Sequence, residues 1–202
     1  MWLWRVGECP VLRREPSEEG RVCRVIMSRN NKRYPLNIVL VGMPGSGKTT
    51  VGVNLSRLVH KRFVDMDRLL IGHFNMPIAE VFATQGELAF RDAESELCER
   101  LLRFRHCVIS TGGGVLLRPT NRTLLRACGK IVYLSPTMEM LWKRLRNDRQ
   151  RPLLKTENPK ATLDALWAVR DPIYRDAAHL IIPITDQSPL EVAEMIQKRL
   201  IV

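Results

Sequence analysis

Apolar runs and amphipathic stretches alternate along residues 36–202. Short apolar runs predict five buried β-strands, at 37–42, 63–66, 107–110, 130–134 and 180–184. The stretches between them have apolar residues at helical spacing and predict helices at 48–59, 67–74, 78–84, 87–104, 120–127, 137–146, 160–177 and 189–200. Strands that alternate with helices are typical of parallel sheets with right-handed crossovers. The pattern therefore predicts an α/β fold, a three-layer, doubly wound, five-stranded parallel sheet that binds ligands at the carboxyl ends of its strands.

Three segments depart from this alternation. Residues 67–95 form a helical insertion between the second and third predicted strands, and the polar segment 147–159, rich in Arg, Pro and Asn, is typical of a mobile lid. Residues 1–35 show no helical or strand period, which predicts a disordered extension, with a functional basic arm as the alternative. Met27 suggests the hypothesis that translation starts there and that residues 1–26 are an upstream extension.

Charge and composition narrow the function classes. The chain has 32 Lys and Arg against 21 Asp and Glu, a formal net charge of +11 that favours anionic partners such as a nucleotide, an acidic small molecule or nucleic acid. Aromatic residues make up only 6%, and no nucleic-acid-binding signature is present, so we expect no nucleic-acid partner.

Cysteine spacing and hydropathy indicate the cellular compartment in which the protein is expected to function. The five cysteines are widely spaced, with no C-x-x-C pair and no zinc-ligand spacing, which predicts reduced thiols in a cytoplasmic protein. No apolar stretch approaches the roughly 20 residues that cross a bilayer, and the N-terminus lacks the apolar region of a secretory signal. We therefore expect no membrane partner.

A glycine-rich turn carries a complete phosphate-binding pattern. Residues 42–49 read Gly-Met-Pro-Gly-Ser-Gly-Lys-Thr, which matches G-x-x-x-x-G-K-[ST] between the first predicted strand and the first predicted helix. The glycines let backbone N–H groups turn towards a phosphate, and the helix N-terminus adds its positive end. Lys48 is predicted to contact the β- and γ-phosphates and the Thr49 hydroxyl to bind Mg²⁺.

Two carboxylates follow the second predicted strand. Asp65 and Asp67 are two residues apart, and side chains with that spacing on a strand share a face, so both are predicted to point towards the phosphate loop. One could hold a Mg²⁺-bound water, and the other could orient or deprotonate a hydroxyl nucleophile. The alternative for Asp67 is an N-cap of a helix that starts at Arg68.

Glycines and arginines complete the candidate chemistry. Gly112–Gly114 follow the third predicted strand, where they either leave N–H groups free for a ligand or make a plain turn. Arg91 could clamp a carboxylate or be a solvated helix charge, and for Arg170 a surface role is the default. The arginine-rich sequence 144–154, which includes Arg151, could deliver a guanidinium that offsets charge on a transferred phosphoryl group, an effect worth about 10³–10⁵ in rate, or could be a solvated polar loop.

Together these motifs resemble those of the shikimate kinase family. Six occur in order with similar spacing: the phosphate loop 42–49, Asp65-x-Asp67, residues 82–94 (Phe-Ala-x-x-x-Gly-Glu-x-x-Phe-Arg-x-x-Glu), Gly112–Gly114, Arg151-Pro152-Leu153-Leu154 and Arg170-x-Pro172-x-Tyr174. The resemblance covers residues 36–200, and the conjunction of six motifs is far more specific than any one of them. It implies a monomeric, ATP- and Mg²⁺-dependent kinase that phosphorylates the 3-hydroxyl of shikimate in the pathway to chorismate and the aromatic amino acids.

The resemblance also implies a role for each matching position. The ATP-binding residues would be Gly45, Ser46, Gly47, Lys48, Thr49, Thr50, Arg144, Arg151 and Gln187, with Arg144 against the adenine and Gln187 near its edge. One Mg²⁺ per subunit would bind Thr49 and, through water, Asp65. Asp67 would bind the ring hydroxyls and act as the base, with Lys48 and Arg151 as the other catalytic residues. Arg91 and Arg170 would bind the shikimate carboxylate, and the backbone N–H of Gly113 the ring-hydroxyl side.

One segment departs from the family pattern, and other functions stay open. Ile71 stands where a glutamate is expected, and residues 71–76 are unusual, which bears on acceptor affinity but not on the phosphate chemistry. The alternatives are a related small-molecule kinase, for example for gluconate, an adenylate-kinase-like enzyme, and a binding module without turnover. A binding module without turnover is disfavoured because the chain retains the candidate catalytic residues Lys48, Thr49, Asp67 and Arg151.

Overall fold

The computed structural model of the chain describes residues 37–146 and 158–200. All of them belong to one unit, Tyr34–Val202. The predicted extension at 1–35, most of the predicted lid and its Arg151 lie outside the described residues. The predictions made for those segments therefore stay predictions.

A five-stranded parallel sheet is the centre of the described fold. Its strands are β1 (Asn37–Val41), β2 (Arg62–Asp65), β3 (Cys107–Ser110), β4 (Gly129–Pro136) and β5 (Leu180–Ile184). They pair in parallel in the order β2-β3-β1-β4-β5. β1 and β3 are buried along their whole length, as expected of strands covered on both faces. The predicted doubly wound parallel sheet is confirmed.

The helices follow the predicted pattern closely. They are α1 (Lys48–Leu58), α2 (Met66–Phe74), α3 (Ile78–Thr84), α4 (Gly86–Leu101), α5 (Pro119–Cys128), α6 (Met138–Leu145), α7 (Pro159–Ala177) and α8 (Pro189–Leu200), with a 3₁₀ turn at Val115–Leu117. The Thr137 side chain caps α6 by accepting from the N–H of Met140, and Asn158 caps α7 by accepting from that of Ala161. The largest boundary error is at α4, which ends three residues before the predicted 104.

Alternate residues of β1 pack into different layers. Ile38 and Leu40 lie in a core with residues of α1 and α8, whereas Val39 and Val41 lie in a core with residues of α5, α6 and α7. This alternation is the period-two geometry of a strand and gives the sheet a helical layer on each side. The three-layer prediction is correct.

The junction of β2 and α2 corrects the prediction for the two aspartates. The strand ends at Asp65 and the helix starts at Met66, so Asp67 lies in the first helical turn and does not share a strand face with Asp65. The N-cap is Asp65, whose side chain accepts from the N–H of Arg68 at 3.2 Å. A local cap thus stops the strand before Met66, and the alternative of Asp67 as the cap is wrong as well.

Helices α2, α3 and α4 form the insertion between β2 and β3. They enclose a small hydrophobic core of their own, made of Leu70, Val81, Phe90 and Ala93. Leu97 packs against both this core and the core beneath the sheet. The insertion, named here the acceptor segment (α2–α4), therefore joins the sheet layers through shared packing at the end of α4.

Two further expectations concern membranes and thiols. Within 37–146 and 158–200, no helix combines the length and the apolar character needed to cross a membrane. Cys98, Cys107 and Cys128 are free and buried. Burial raises the pKa of the Cys98 thiol to about 12, which keeps it protonated.

Candidate active site

The phosphate loop lies between β1 and α1, at the carboxyl edge of the sheet. Its turn needs glycine at position 45, where φ is 83° and a Cβ would stand 2.9 Å from the Leu145 side chain of α6. The N–H of Ser46 donates to the Met43 carbonyl at 3.1 Å and closes the turn. The loop is thus shaped by its own backbone and supported from α6.

Two polar side chains of the loop face inwards. Lys48 is 9% exposed, and its ammonium donates to the carbonyls of Gly42 and Met43 at 2.9 and 3.0 Å. Ser46 is buried, and its hydroxyl has no hydrogen-bond partner among the residues that the structure describes. A buried polar atom without a partner costs free energy, so this loop is suited to a ligand rich in oxygen acceptors.

A hydroxyl and a carboxylate form a small oxygen cluster beside the loop. Thr49 donates its hydroxyl proton to Asp65 at 2.9 Å, and the buried Ser110 hydroxyl at the end of β3 lies 3.4 Å from that of Thr49. In the described chain no group of three or more His, Cys, Asp or Glu side chains could hold a metal. One carboxylate and one hydroxyl fit Mg²⁺, which keeps several waters and binds phosphate oxygens instead of filling an all-protein cage.

The turn Gly112–Gly114, named here the triglycine turn, packs directly on the phosphate loop. A Cβ at Gly113 would lie 2.9 Å from Pro44 Cδ. A Cβ at Gly112 would lie 3.0 Å from an Asp67 carboxylate oxygen and 2.9 Å from one of Glu94. The absence of side chains therefore lets the phosphate loop and two carboxylates of the acceptor segment meet at one turn.

Arg91 reaches the same turn from α4. A Cβ at Gly114 would lie 2.7 Å from Arg91 Cζ. The guanidinium pairs with Glu94 at 2.8 Å and with Glu87 at 3.0 Å, and its side chain is only 14% exposed. It also lies over the Phe90 ring, 5.3 Å from the centroid. Arg91 is therefore held in place, and the interpretation as a solvated helix charge is wrong.

Electrostatics around Arg91 favour a fixed cation. Burial works against its charge, but the carboxylates of Glu94 and Glu87 outweigh burial and raise the pKa of the guanidinium. Glu94 is buried, and burial raises the pKa of its carboxyl, an effect that Arg91 only partly offsets. The second oxygen of Glu94 has no hydrogen-bond partner within the described residues.

Arg170 approaches the triglycine turn from α7. It is 6% exposed, and its Nη1 donates to the Gly113 carbonyl at 3.3 Å. The surface role taken as the default is therefore wrong. The Tyr174 hydroxyl, one helical turn further along α7, donates to the same carbonyl.

The remaining predicted ATP residues are more dispersed. Arg144, near the end of α6, donates to the Gly45 carbonyl of the phosphate loop at 3.2 Å. Thr50 is exposed in the first turn of α1. Gln187 lies in the turn between β5 and α8, where its amide oxygen accepts from the N–H of Thr185 at 2.8 Å. The structure thus brings Arg144 to the loop and gives Gln187 a role in its own turn.

Sequence reasoning assigned no role to Glu94, Ser110 or Tyr174. Two of them carried a signal. Glu94 is three residues after Arg91 and Tyr174 is four residues after Arg170, and both spacings put side chains on one helix face. Ser110 could be found only from the pairing of β2 with β3, which sets it opposite Asp65.

Sheet order, loop position and site together define a P-loop kinase. A family model described as shikimate kinase matches residues 44–201. The chain therefore belongs to the shikimate kinase family. The predicted activity, phosphoryl transfer from ATP to shikimate in aromatic amino acid biosynthesis, is confirmed with the family.

Individual relatives of the chain support the same family assignment. The chain is 43% identical over 164 residues to a shikimate kinase of Cupriavidus pinatubonensis, across 81% of this chain and 85% of the relative. It is 40% identical over 164 residues to one of Nitrosospira multiformis, across 81% and 84%. The shikimate kinase of Acinetobacter baumannii, solved in complex with shikimate, superposes with a TM-score of 0.81 at 35% identity, across 85% of this chain and 96% of that one.

Proposed function

We propose that the chain transfers the γ-phosphate of ATP to the 3-hydroxyl of shikimate at the junction of the phosphate loop and the triglycine turn. The observation that carries this is the packing of Gly113 on Pro44, because it puts the two binding loops in contact. Asp67, Arg91 and Arg170 converge on the same turn from α2, α4 and α7. ATP and the acceptor acid would therefore lie side by side, and the phosphoryl group would pass directly from one to the other.

On the nucleotide side, the loop residues 45–50 and Lys48 would hold the phosphates. The loop supplies backbone N–H groups at a helix N-terminus, and Lys48 adds a point charge. Thr49 and Asp65 would hold one Mg²⁺ per subunit, with Asp65 acting through water; when bound, the ion neutralises charge on the phosphates. Arg144 would lie against the adenine and Gln187 near its edge, and Arg151 would complete the nucleotide site.

On the acceptor side, charge and geometry suit a small carboxylic acid with ring hydroxyls. Arg91 and Arg170 are both largely buried, and two guanidinium groups can fix the orientation of one carboxylate as well as its charge. Asp67 lies against Gly112 of the same turn, where it would accept the proton of the attacking hydroxyl. The Gly113 N–H would bind the ring-hydroxyl side.

The location and the oligomeric state complete the proposal, which is a cytoplasmic monomer. The three described cysteines are free, which suits a reducing compartment. We propose a monomer because the site is assembled from elements of one chain.

A coupled ADP-release assay with ATP, Mg²⁺ and a panel of sugar acids tests the proposal. Turnover with shikimate is expected, with loss of at least about 10²-fold in Asp67→Asn, the size of a typical general-base contribution. Lys48→Met should be comparably impaired. Asp164→Asn, at an exposed position of α7, is the matched control and should keep full activity. Robust turnover with gluconate alone would overturn the assignment.

The Arg170→Lys variant tests whether Arg170 binds shikimate and not ATP. Lysine keeps the charge but cannot pair bidentately, so the KM for shikimate should rise with less effect on the KM for ATP. Arg100→Lys, at an exposed arginine of α4, is the control. An equal rise in both KM values would count against the carboxylate-binding role.

A further inference from the structure

Two side chains of α7 share one acceptor on the triglycine turn. Arg170 Nη1 donates to the Gly113 carbonyl at 3.3 Å, and the Tyr174 hydroxyl donates to the same oxygen. The two residues are four apart on α7, so they lie on one face of the helix. Tyr174 is 2% exposed. The carbonyl has two lone pairs, and these two donors can use both.

The tyrosine hydroxyl links all three groups. Besides donating to Gly113, it lies near the Arg170 guanidinium, whose charge acts to lower the pKa of the hydroxyl. A guanidinium has no acceptor, so the single hydroxyl proton must point to the carbonyl. Burial raises the pKa of Tyr174 to about 12, with Arg170 acting in the opposite direction, and the hydroxyl therefore keeps its proton at neutral pH.

The proposed function gives Arg170 a second partner, the carboxylate of the acceptor. A guanidinium has five N–H donors, and a pairing with that carboxylate that uses Nη1 withdraws this donor from the Gly113 carbonyl. Gly113 is partly buried, and an unsatisfied buried carbonyl carries a desolvation cost. The donor that remains is the Tyr174 hydroxyl, which already donates to that carbonyl.

We propose that Tyr174 is a positioning residue for acceptor binding. Its hydroxyl keeps the Gly113 carbonyl satisfied, so that Arg170 can leave that carbonyl for the acceptor carboxylate. This inference rests on the proposed role of Arg170. It gives the tyrosine of the Arg170-x-Pro172-x-Tyr174 motif a function through Gly113 and Arg170, without direct contact with the substrate.

Calorimetric titration of shikimate into Tyr174→Phe tests the inference. The variant removes one oxygen and should bind shikimate about 5- to 30-fold more weakly, the equivalent of about 1–2 kcal/mol, because the carbonyl has no partner in the complex. Affinity for ADP should be unchanged, which also shows that the variant is folded. Unaltered shikimate affinity would overturn the inference.

Tyr133→Phe is the matched control. Tyr133 of β4 is also fully buried, and its ring centroid lies 5.1 Å from that of Tyr174. Its hydroxyl donates at 2.7 Å to Asp171 on the same helix, and not to the triglycine turn. Shikimate affinity should therefore stay near that of the unaltered protein. An equal loss in both variants would mean a general loosening of α7 and would refute the specific role of Tyr174.

A double-mutant cycle separates this inference from the proposed function. In an Arg170→Met background, acceptor binding withdraws no donor from Gly113, so adding Tyr174→Phe should change shikimate affinity by less than about 2-fold. The same loss in both backgrounds would contradict the inference. If Arg170→Met alone binds shikimate like the unaltered protein, the role of Arg170 itself is refuted, and this inference with it.

Discussion

Replacing Gly114 with alanine is expected to disable the acceptor site while sparing the fold. The backbone there has φ −110° and ψ −3°, which alanine can adopt, so the change introduces no backbone strain. The added methyl group would instead lie 2.7 Å from Cζ of Arg91. The perturbation is therefore directed at one guanidinium.

The size of the effect follows from that distance. Carbon atoms in contact prefer a separation of about 3.5–4.0 Å, so the guanidinium must retreat by roughly 1 Å. A misplacement of about 1 Å in a positioning group can cost up to ~10²-fold. We expect the KM for shikimate to rise by about 10- to 100-fold and the KM for ATP to stay within about 2-fold.

Stability should fall by a smaller amount. Breaking a buried ion pair outright costs about 3–5 kcal/mol, but Arg91 can retreat towards Glu87 while it stays near Glu94. We therefore expect a loss of about 1–2 kcal/mol in the free energy of unfolding, measured by urea titration.

Steady-state kinetics with each substrate varied in turn provide the assay. Gly72→Ala is the control, because a Cβ at that position of α2 meets nothing within 4 Å. It should leave both KM values unchanged and stabilise the helix by up to about 1 kcal/mol. If Gly114→Ala keeps its shikimate KM, or raises both KM values equally, the role of Arg91 derived from this contact is wrong.

Two further predictions concern stability and the phosphate loop. Burial lowers the pKa of His179, whose Nδ1 accepts from the N–H of Ile131 at 3.0 Å, so between the two pKa values the unfolded chain binds more protons than the folded one. Its contribution is full above the ordinary pKa of 6.5 and is lost as the pH falls through the lowered pKa. Urea titrations at about pH 8 and about pH 5 should show a smaller pH dependence in His179→Asn, and an identical one would contradict this. Leu145→Ala should cost about 2–5 kcal/mol and raise the KM for ATP, because Leu145 packs on Gly45, whereas Leu141→Ala should lower stability with little change in that KM.

The course of the sheet could be predicted because its strands are short apolar runs between amphipathic helices. The prediction failed at the end of β2, where a local hydrogen bond sets the boundary between strand and helix. Asp65 was expected to continue a strand into Met66, but its side chain caps the following helix. Hydrophobic pattern does not report such a hydrogen bond, and it therefore misplaced Asp67.

The burial and the partners of the candidate site residues could not be predicted from the sequence. The resemblance to a family's motifs proposed roles for Arg91, Arg170 and Gly113, whereas the residues alone left a surface position as the default for Arg170. Burial and contacts between residues far apart in the chain, such as Tyr174 and Gly113, which are 61 positions apart, depend on how α7 packs against the sheet. No spacing rule within a single sequence provides that information.

The separate core of the acceptor segment has a consequence for how substitutions spread through the protein. Because that core contains Leu70 and Phe90 and no residue of a strand, we expect a substitution there to alter the acceptor segment while the strands keep their own packing. Ile71 is 42% exposed on α2, outside that core, so substitution there is tolerated without repacking.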